Sequence, residues 1–443
     1  MSYKEEKEIF VANNIGDKIL TINLNLLVGV LSLALYSILV KRFNINIVIE
    51  SLIITAPTIL SLTLLNDYLI SLNLLLIVVN FLITGLYPIR SPSRKSKHKH
   101  SNSITPNDFN NNVSWKNQPP SPLPFNSNRN ALIQLPLKSF ITNYRSYLMF
   151  ITVFSILAVD FPIFPRKLSK TELFGTSLMD LGVGAFTFSL GLVDAKYIIN
   201  NNYRYSKVFP LALLGLIRLI MIELSNYPQH ASEYGIHWNF FLTLSCLPVL
   251  TNILFKLHKL TKIQFSWFAL IISLCYQLFL SKTRLQSWLI SDDQSSLLAM
   301  NKQGIFSLSG YLSIYLIGLD IGLYSLPLEP YFYFTQKVKV KSKHDKRDKL
   351  LTILLSYSIL YWTLLGITKL LKLPISRRFA NLPYTLWIIS FNITFLTMFL
   401  LIDIINFKLP SSQQFSTPRI LNAINNNSLI IFLVVSVLNS YIY

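Results

Sequence analysis

The chain alternates long apolar runs with short polar connections. We count twelve apolar runs, most of them near the roughly 20 residues that an α-helix needs to cross a bilayer. Helices satisfy the backbone polar groups within each span, which an open sheet in lipid does not. The pattern predicts an all-α polytopic membrane protein, a bundle of about twelve or thirteen transmembrane helices. The predicted spans are 19–40, 46–64, 68–88, 146–165, 172–195, 207–226, 238–257, 263–281, 305–325, 350–371, 383–405 and 428–443.

Positive charge concentrates on alternate connections between these spans. Most of the 40 Lys and Arg residues lie in the loops that follow the first, third, fifth, seventh, ninth and eleventh spans. Cytoplasmic loops carry the excess of Lys and Arg, so these loops are predicted to face the cytosol. We therefore expect chemistry at the opposite, non-cytosolic face. That face would hold the N-terminus and four polar runs, at residues 165–170, 233–239, 301–310 and 375–383.

Composition narrows the class of protein further. Only 14% of the 443 residues are charged, against about 25% in a typical soluble domain. The net charge of +20 follows from the loop bias, so we predict no nucleic-acid partner. Two cysteines, Cys246 and Cys275, are too few for a disulfide framework or a zinc cluster, and we predict no metal. The N-terminus shows no cleavable signal peptide, so the first span is expected to act as an uncleaved signal anchor.

The domain organisation is predicted to be a single multi-span membrane domain over residues 1–443. The main interruption is a stretch at residues 89–138 that is rich in Ser, Pro and Asn and carries a basic run, RKSKHKH. Such a composition buries too little apolar surface to fold. We predict that residues 89–138 form a disordered, basic cytosolic insert.

Ionisable residues inside spans are functional candidates, because each costs roughly 2.5–3.5 kcal/mol on insertion scales. Asp194 and Asp403 lie near cytosolic span ends and are expected to reach the interface by snorkelling. Arg218 and Glu223 share one span at a spacing that does not suit a direct pair, so partners on other helices are expected, either in a structural polar network or as substrate contacts. The complete set is Glu50, Asp160, Asp180, Asp194, Arg218, Glu223, Asp320 and Asp403.

The densest polar segment follows the fourth predicted span. Two prolines, at 162 and 165, break that helix just after Asp160, and Arg166, Lys167 and Lys170 come next. These cations lie on the side where positive charge is otherwise scarce, which favours a bound anion such as phosphate. An Asp near a Lys suits a general base beside an oxyanion donor. A structural ion pair at the helix break is the alternative.

Three further polar blocks face the same side. His237, Trp238 and Asn239 open one span, Asn301 opens another, and a block at residues 377–384 offers a second anion site. His237 suits either a base or a plain hydrogen-bonded side chain. The chain contains no HExxH, P-loop or GxSxG motif, which disfavours zincin proteases, ATP-driven pumps and α/β-hydrolases. The predicted substrate-binding residues are Arg166, Lys167, Asp180, His237, Trp238, Asn239, Asn301, Arg377, Arg378 and Asn381.

Four blocks carry a resemblance to a known family. In order along the chain they read KTELFGTSLMDLGVG from residue 170, EYGIHWNFFLT from 233, NKQGIFSLSGY from 301 and RRFANLPY from 377. The chain resembles the GPI-anchor inositol acyltransferases, in particular the fungal GPI-anchored wall transfer protein group, which is related to the animal PIG-W protein. The resemblance covers most of the chain beyond residue 140 and the hydropathy profile before it.

The resemblance implies an enzyme of the endoplasmic reticulum membrane that acts in GPI-anchor biosynthesis. Such an enzyme transfers a fatty acyl chain, typically palmitoyl, from acyl-CoA to the inositol 2-hydroxyl of glucosaminyl-phosphatidylinositol. Acyl-CoA is then a co-substrate, with no permanently bound cofactor and no obligate protein partner. The family's proposed acid–base pair falls on Asp160 and Lys170, at the lumenal face. The resemblance also implies one span more than we count.

Two alternatives of other classes remain at this stage. A transporter or lipid flippase would use Asp160, Glu223 and Asp320 as coupling sites, and its intramembrane acids would be accessible from both faces. A structural subunit of a membrane complex would tolerate the loss of Asp160 or Lys170.

Overall fold

The computed structural model describes residues 14–87, 135–201, 208–225, 234–291, 293–335, 346–407 and 416–441. Thirteen helices are labelled here. They are α1 Ile19–Leu39, α2 Ile47–Leu62, α3 Leu69–Leu86, α4 Ser139–Ala158, α5 Leu178–Ile199, α6 Val208–Ser225, α7 Phe240–Thr261, α8 Phe265–Lys282, α9 Lys302–Ser325, α10 Arg347–Leu370, α11 Leu382–Asn406, α12 Arg419–Asn426 and α13 Ser428–Tyr441. Shorter helical segments of three to six residues lie between them at Asn66–Tyr68, Arg166–Leu168, Leu285–Ile290, Leu297–Met300 and Phe332–Thr335.

The protein is an all-α, multi-pass membrane protein, as the hydropathy pattern predicts. Within the described residues, nine helices are long and apolar enough to cross a bilayer. The three remaining predicted spans coincide with the shorter helices α2 and α6 and with the pair α12 and α13, which bends by 81°. Each predicted span therefore corresponds to helical structure, and the C-terminal one is a bent pair of helices and not a single rod.

Helix α4 is shifted along the sequence from its predicted position. It runs from Ser139 to Ala158, whereas hydropathy places the span at 146–165. Its first turns contain polar residues that are buried in the bundle, including Asn143 and Ser146, so the polar composition does not stop the helix. Asp160 consequently lies in a turn beyond the end of the span and not within it.

The core of the bundle is formed by α9 and α11, with α5 next in burial. Helices α5 and α9 approach closely because glycines remove the side chain where they cross. A Cβ atom on Gly318 would lie 2.2 Å from the carbonyl oxygen of Phe188, and one on Gly191 would lie 2.1 Å from that of Tyr315. Packing of this kind is typical of membrane helices, which associate through small residues at the contact.

The acidic residues predicted to snorkel are instead buried and paired. Asp194 accepts a hydrogen bond from the hydroxyl of Tyr315 at 2.8 Å, and Asp403 forms an ion pair with Arg347 at 2.8 Å. Both side chains are less than a tenth exposed. The prediction that Asp194 and Asp403 reach the interface by snorkelling was wrong. Partners on neighbouring helices bind these two carboxylates inside the bundle.

Of three other ionisable candidates, two are buried with partners and one is exposed. Glu50 is buried and pairs with Arg419 at 3.3 Å, which ties α2 to α12. Asp320 is buried and accepts hydrogen bonds from Ser266 and Tyr357, while Arg218 is exposed on α6. The side chain of Glu223 and most of the predicted insert lie outside the described residues. At the end of that insert, Lys138 is described and is buried.

The polar segments predicted for one face do meet at one end of the bundle. The backbone N–H of Asp17 donates to the carbonyl of Thr176, and that of Gly175 donates to Ile375. A Cβ on Gly310 would collide with the carbonyl oxygen of Ala380 at 1.9 Å. The N-terminal segment and the polar connections therefore share a face of the molecule.

Replacing Gly318 with Ala should destabilise the bundle, because the added methyl group meets backbone that cannot move aside. We expect a loss of about 1–3 kcal/mol, the usual cost of overpacking a core. The measurement is the thermal unfolding midpoint of the purified protein in detergent. The matched control is Gly366→Ala in α10, where nothing lies within 4 Å of the added Cβ and helix propensity favours Ala. Equal midpoints for both variants would show that the crossing tolerates side chains.

Candidate functional site

The connection between α4 and α5, residues 159–177, carries the predicted catalytic pair. Asp160 lies in the turn that ends α4 and is half-buried. The chain then bends through a 3-10 turn at Arg166–Leu168 and reaches Lys170, which is also half-buried. Phe164 and Leu168 are buried and fasten the connection to the bundle. Arg166 is exposed at the surface of this face.

A buried ion pair lies just after the end of this connection, at the start of α5. Asp180, in the first turn of α5, accepts from Nε of Arg377 at 2.7 Å, and the two side chains are 0% and 4% exposed. Thr171, the residue after Lys170, donates to the same carboxylate through its hydroxyl at 2.7 Å. The hydroxyl of Tyr384 donates to the Asp180 carbonyl at 2.9 Å. Asp180 and Arg377 were both predicted to contact substrate. In the structure they form an ion pair with each other.

The segment at residues 375–381 is held by its own hydrogen bonds. The Asn381 carboxamide accepts from the backbone N–H of Tyr384 at 3.3 Å, which caps α11, and its amide donates to the Pro374 carbonyl at 2.7 Å. The hydroxyl of Ser376 donates to the carbonyl of Leu173 at 2.6 Å. Asn381 therefore shapes this segment, and the half-buried Arg378 lies between it and Arg377.

Lys167 is engaged by acidic side chains from other parts of the chain. Its ammonium group lies 2.7 Å from Asp67 in the α2–α3 connection and 3.8 Å from Asp17 before α1. Lys167 is 35% exposed and Asp67 81% exposed, so this pair contributes little to stability. Lys167 was predicted to bind an anion, and its charge is partly compensated in this conformation.

The remaining predicted residues form a second cluster at the same end of the bundle. The side chain of His237 is exposed, and its backbone N–H donates to Oδ1 of Asn301 at 2.8 Å. The Trp238 ring N–H donates to the hydroxyl of Thr243 at 2.9 Å. Asn239 caps α7 and donates to the Gly215 carbonyl at 2.8 Å. Of this cluster, His237 is the side chain that faces outward, while Asn239 and Asn301 hold the backbone. Glu233, in the same predicted block, lies outside the described residues.

An apolar cavity of about 170 Å³ opens between α4, α5, α6, α7 and α13. Arg145 on α4 lies in its wall and donates to the hydroxyl of Ser189 at 3.2 Å and to Asn425 at 3.3 Å. Sequence reasoning missed Arg145 because it placed this residue in a loop. A signal was present, since no Pro or Gly separates Ser139 from Ala158. The other lining residues are Met149, Phe186, Leu190, Leu211, Phe240, Phe241, Leu244, Ser428, Leu429 and Phe432.

The site so described consists of one organised connection with a carboxylate and several cations, and the two helices that it joins, α4 and α5, also line an apolar cavity. Across the described ranges, no group of three or more His, Cys, Asp or Glu side chains is arranged to hold a metal ion. The chemistry that these residues offer is proton transfer and charge stabilisation.

Comparison with known proteins identifies the family. The family model described as GWT1 matches residues 3–442. The chain belongs to the GWT1 family. A GPI-anchored wall transfer protein 1 of Gibberella zeae is 34% identical, over 100% of this chain and 91% of that protein. Its namesake in Aspergillus fumigatus is 35% identical, over 98% of this chain and 90% of that protein. The namesake in Candida albicans is 38% identical over 70% of this chain and 68% of that protein.

In this GWT1-family chain, the buried ion pair between Asp180 and Arg377 should contribute far more to the free energy of unfolding than the pair between Lys167 and Asp67. Arg377→Met leaves the Asp180 carboxylate buried without its cation, and we expect a loss of about 3–5 kcal/mol. Lys167→Met removes an exposed charge, and we expect a loss below about 1 kcal/mol. Thermal unfolding of both variants in the same detergent measures the difference. Similar losses for the two would mean that Asp180 and Arg377 do not hold this end of the bundle.

Proposed function

We propose that this chain is a membrane O-acyltransferase. It moves a fatty acyl chain, palmitoyl, from acyl-CoA to the inositol 2-hydroxyl of glucosaminyl-phosphatidylinositol. Membership of the GWT1 family supports a role in GPI-anchor biosynthesis, and the related proteins carry that link in their names. We propose the endoplasmic reticulum membrane as its location, as membership of the family suggests. We propose the lumenal side for the N-terminus and the site, because Lys and Arg favour the opposite loops.

One observation supports acyl transfer in particular. Helices α4 and α5 carry both the connection with Asp160 and Lys170 and a wall of the apolar cavity. An apolar cavity with few polar groups suits a hydrocarbon chain. In this proposal the lipid hydroxyl and the thioester meet at the connection, and the acyl chain lies along the cavity that the same two helices line.

The proposed reaction uses Asp160 as the general base. Its carboxylate takes the proton of the inositol hydroxyl as the oxygen attacks the thioester carbonyl. The new C–O bond forms, the C–S bond breaks, and the CoA thiolate leaves and recovers the proton. Lys170 stabilises the negative charge that develops on the carbonyl oxygen. A hydroxyl of such high pKa also requires close positioning, and effective molarity supplies much of the rate.

Phosphate groups of the lipid or of CoA require cations at the surface of this face. Arg166 is exposed there and is the first choice for such a contact. Arg377 forms an ion pair with Asp180, so we assign it a structural role. Arg378 and Lys167 remain secondary candidates for contacts to phosphate. Exposed His237 is the alternative base if Asp160 is not required.

Asp160→Asn should abolish inositol acylation, with a loss of about 10²–10⁴-fold for a missing general base. The assay uses microsomes from cells without endogenous activity, supplied with labelled glucosaminyl-phosphatidylinositol and palmitoyl-CoA. Asp293→Asn is the matched control. Its exposed carboxylate accepts from the backbone N–H of Ser295, which lowers the pKa of Asp293 and keeps it charged. Full activity in Asp160→Asn would move the base to another residue. No product from folded wild-type protein would favour the transporter.

Leu244→Trp should narrow the cavity and select against long acyl donors. We expect a several-fold loss of activity with palmitoyl-CoA and near-normal activity with a donor of four carbons, because the short chain needs less apolar volume. Rates with the two donors are compared in the microsomal assay. Leu278→Trp, on an exposed apolar position of α8, serves as the control. A uniform loss with both donors would show that the cavity does not hold the acyl chain.

A further inference from the structure

The first described residue of the chain, Asn14, reaches across to the connection that carries Lys170. Its side-chain amide lies 3.2 Å from the carbonyl oxygen of Arg166, 3.1 Å from that of Ser169 and 3.0 Å from that of Lys170. It also donates to the hydroxyl of Ser169 at 2.9 Å. Asn14 is 8% exposed. One buried amide thus joins three carbonyls from five consecutive residues.

The hydrogen-bond pattern determines which way the Asn14 carboxamide points. Its Oδ1 accepts from the backbone N–H of Gly16 at 3.1 Å, while Nδ2 faces only oxygen acceptors of the connection. The opposite orientation would set Oδ1 against three carbonyl oxygens and leave the Gly16 N–H against a donor. The network therefore requires an amide and not a carboxylate at this position.

The backbone around Asn14 joins the same connection. The N–H of Glu172 donates to the Asn14 carbonyl at 3.2 Å. The N–H of Asp17 donates to the Thr176 carbonyl at 2.7 Å, and the Thr176 hydroxyl returns a bond to the Asp17 carbonyl at 2.5 Å. Gly175 has φ +139°, and a Cβ there would lie 2.1 Å from the carbonyl of Ile15. The segment before α1 is therefore built into the candidate site.

We propose that Asn14 is a positioning residue for the reaction: it fixes the backbone from Arg166 to Lys170 and so aims the Lys170 side chain at the reacting carbonyl. The proposal rests on the proposed function for the role of Lys170. We call the hydrogen bonds from the Asn14 amide to residues 166–170 the clamp. The existence of the clamp rests only on the contacts described above. The carbonyl ends of three peptide dipoles converge on one point, and a neutral amide with two N–H groups relieves their mutual repulsion.

The clamp has a direct consequence for rate. Between Phe164 and Thr171, this connection contains a single 3-10 turn and no long helix to hold it. Loss of the amide would let the peptide groups next to Lys170 turn, and small misplacements of a reacting group are costly in rate. Substrate binding in the cavity on α4 and α5 would be unaffected, because Asn14 does not line it.

The test compares Asn14→Asp with Asn73→Asp. Asn73 is also buried and donates its amide to two carbonyls, those of Leu24 and Leu69, but between α1 and α3. Two readouts are taken on the full chain in detergent: hydrogen–deuterium exchange of the peptide covering residues 166–172, and kcat and KM for palmitoyl-CoA. For Asn14→Asp we expect faster exchange in that peptide and a kcat lowered roughly ten- to hundredfold with KM unchanged. Asn73→Asp should leave both unchanged.

The possible outcomes distinguish a failure of the proposed clamp from a failure of the proposed reaction. Unchanged exchange at residues 166–172 in Asn14→Asp would overturn the clamp, and unchanged kcat would overturn the positioning role. If wild-type protein forms no acylated product, the proposed function fails, and the exchange measurement still decides the clamp. Asn14→Ala replaces Asn14→Asp if the charged variant does not fold. A rise in KM without a change in kcat would assign Asn14 to binding and overturn the proposal.

Discussion

The buried ion pair between Asp180 and Arg377 is the contact on which the organised end of the bundle depends. It joins the start of α5 to the segment before α11, nearly two hundred residues away in the chain. A cation and hydrogen-bond donors stabilise a buried charged carboxylate, and Arg377 and Thr171 supply them to Asp180. Because Thr171 follows Lys170 directly, the pair that holds the fold also sets the position of the proposed oxyanion donor.

Three separate parts of the chain build the candidate site around that pair. The segment at residues 14–17, the α4–α5 connection and the segment at residues 375–381 are linked by backbone and side-chain hydrogen bonds. A site built on rigid support places reacting groups more precisely than a loop alone, which is what a reaction with a weakly acidic hydroxyl demands. Several residues with charge or polarity at this face therefore serve positioning, and the proposed chemistry assigns its reacting and charged groups to Asp160, Arg166 and Lys170.

The apolar cavity bears on a second requirement of the proposed acyl transfer, which is a place for the hydrocarbon chain. It lies between helices and contains Arg145 as its cationic residue, bonded to Ser189 and Asn425. In the proposed reaction such a lining would stabilise the part of an acyl chain that contacts it, for the same reason that the chain partitions into lipid. The proposed reaction can then bring a chain held within the bundle to a hydroxyl of a lipid headgroup at its surface.

The sequence by itself determined the class of protein, the approximate position of every span and the shared face of the polar segments. These properties depend on local hydropathy and on the sign of loop charge, which can be read without knowing contacts. The resemblance to the family also rests on local blocks. Tertiary structure alone decided that Asp180 pairs with Arg377, that Asn14 holds the Lys170 connection and that Arg145 meets Ser189 and Asn425. Those features depend on side chains that meet only after folding, often more than 150 residues apart, and no local pattern encodes such partners.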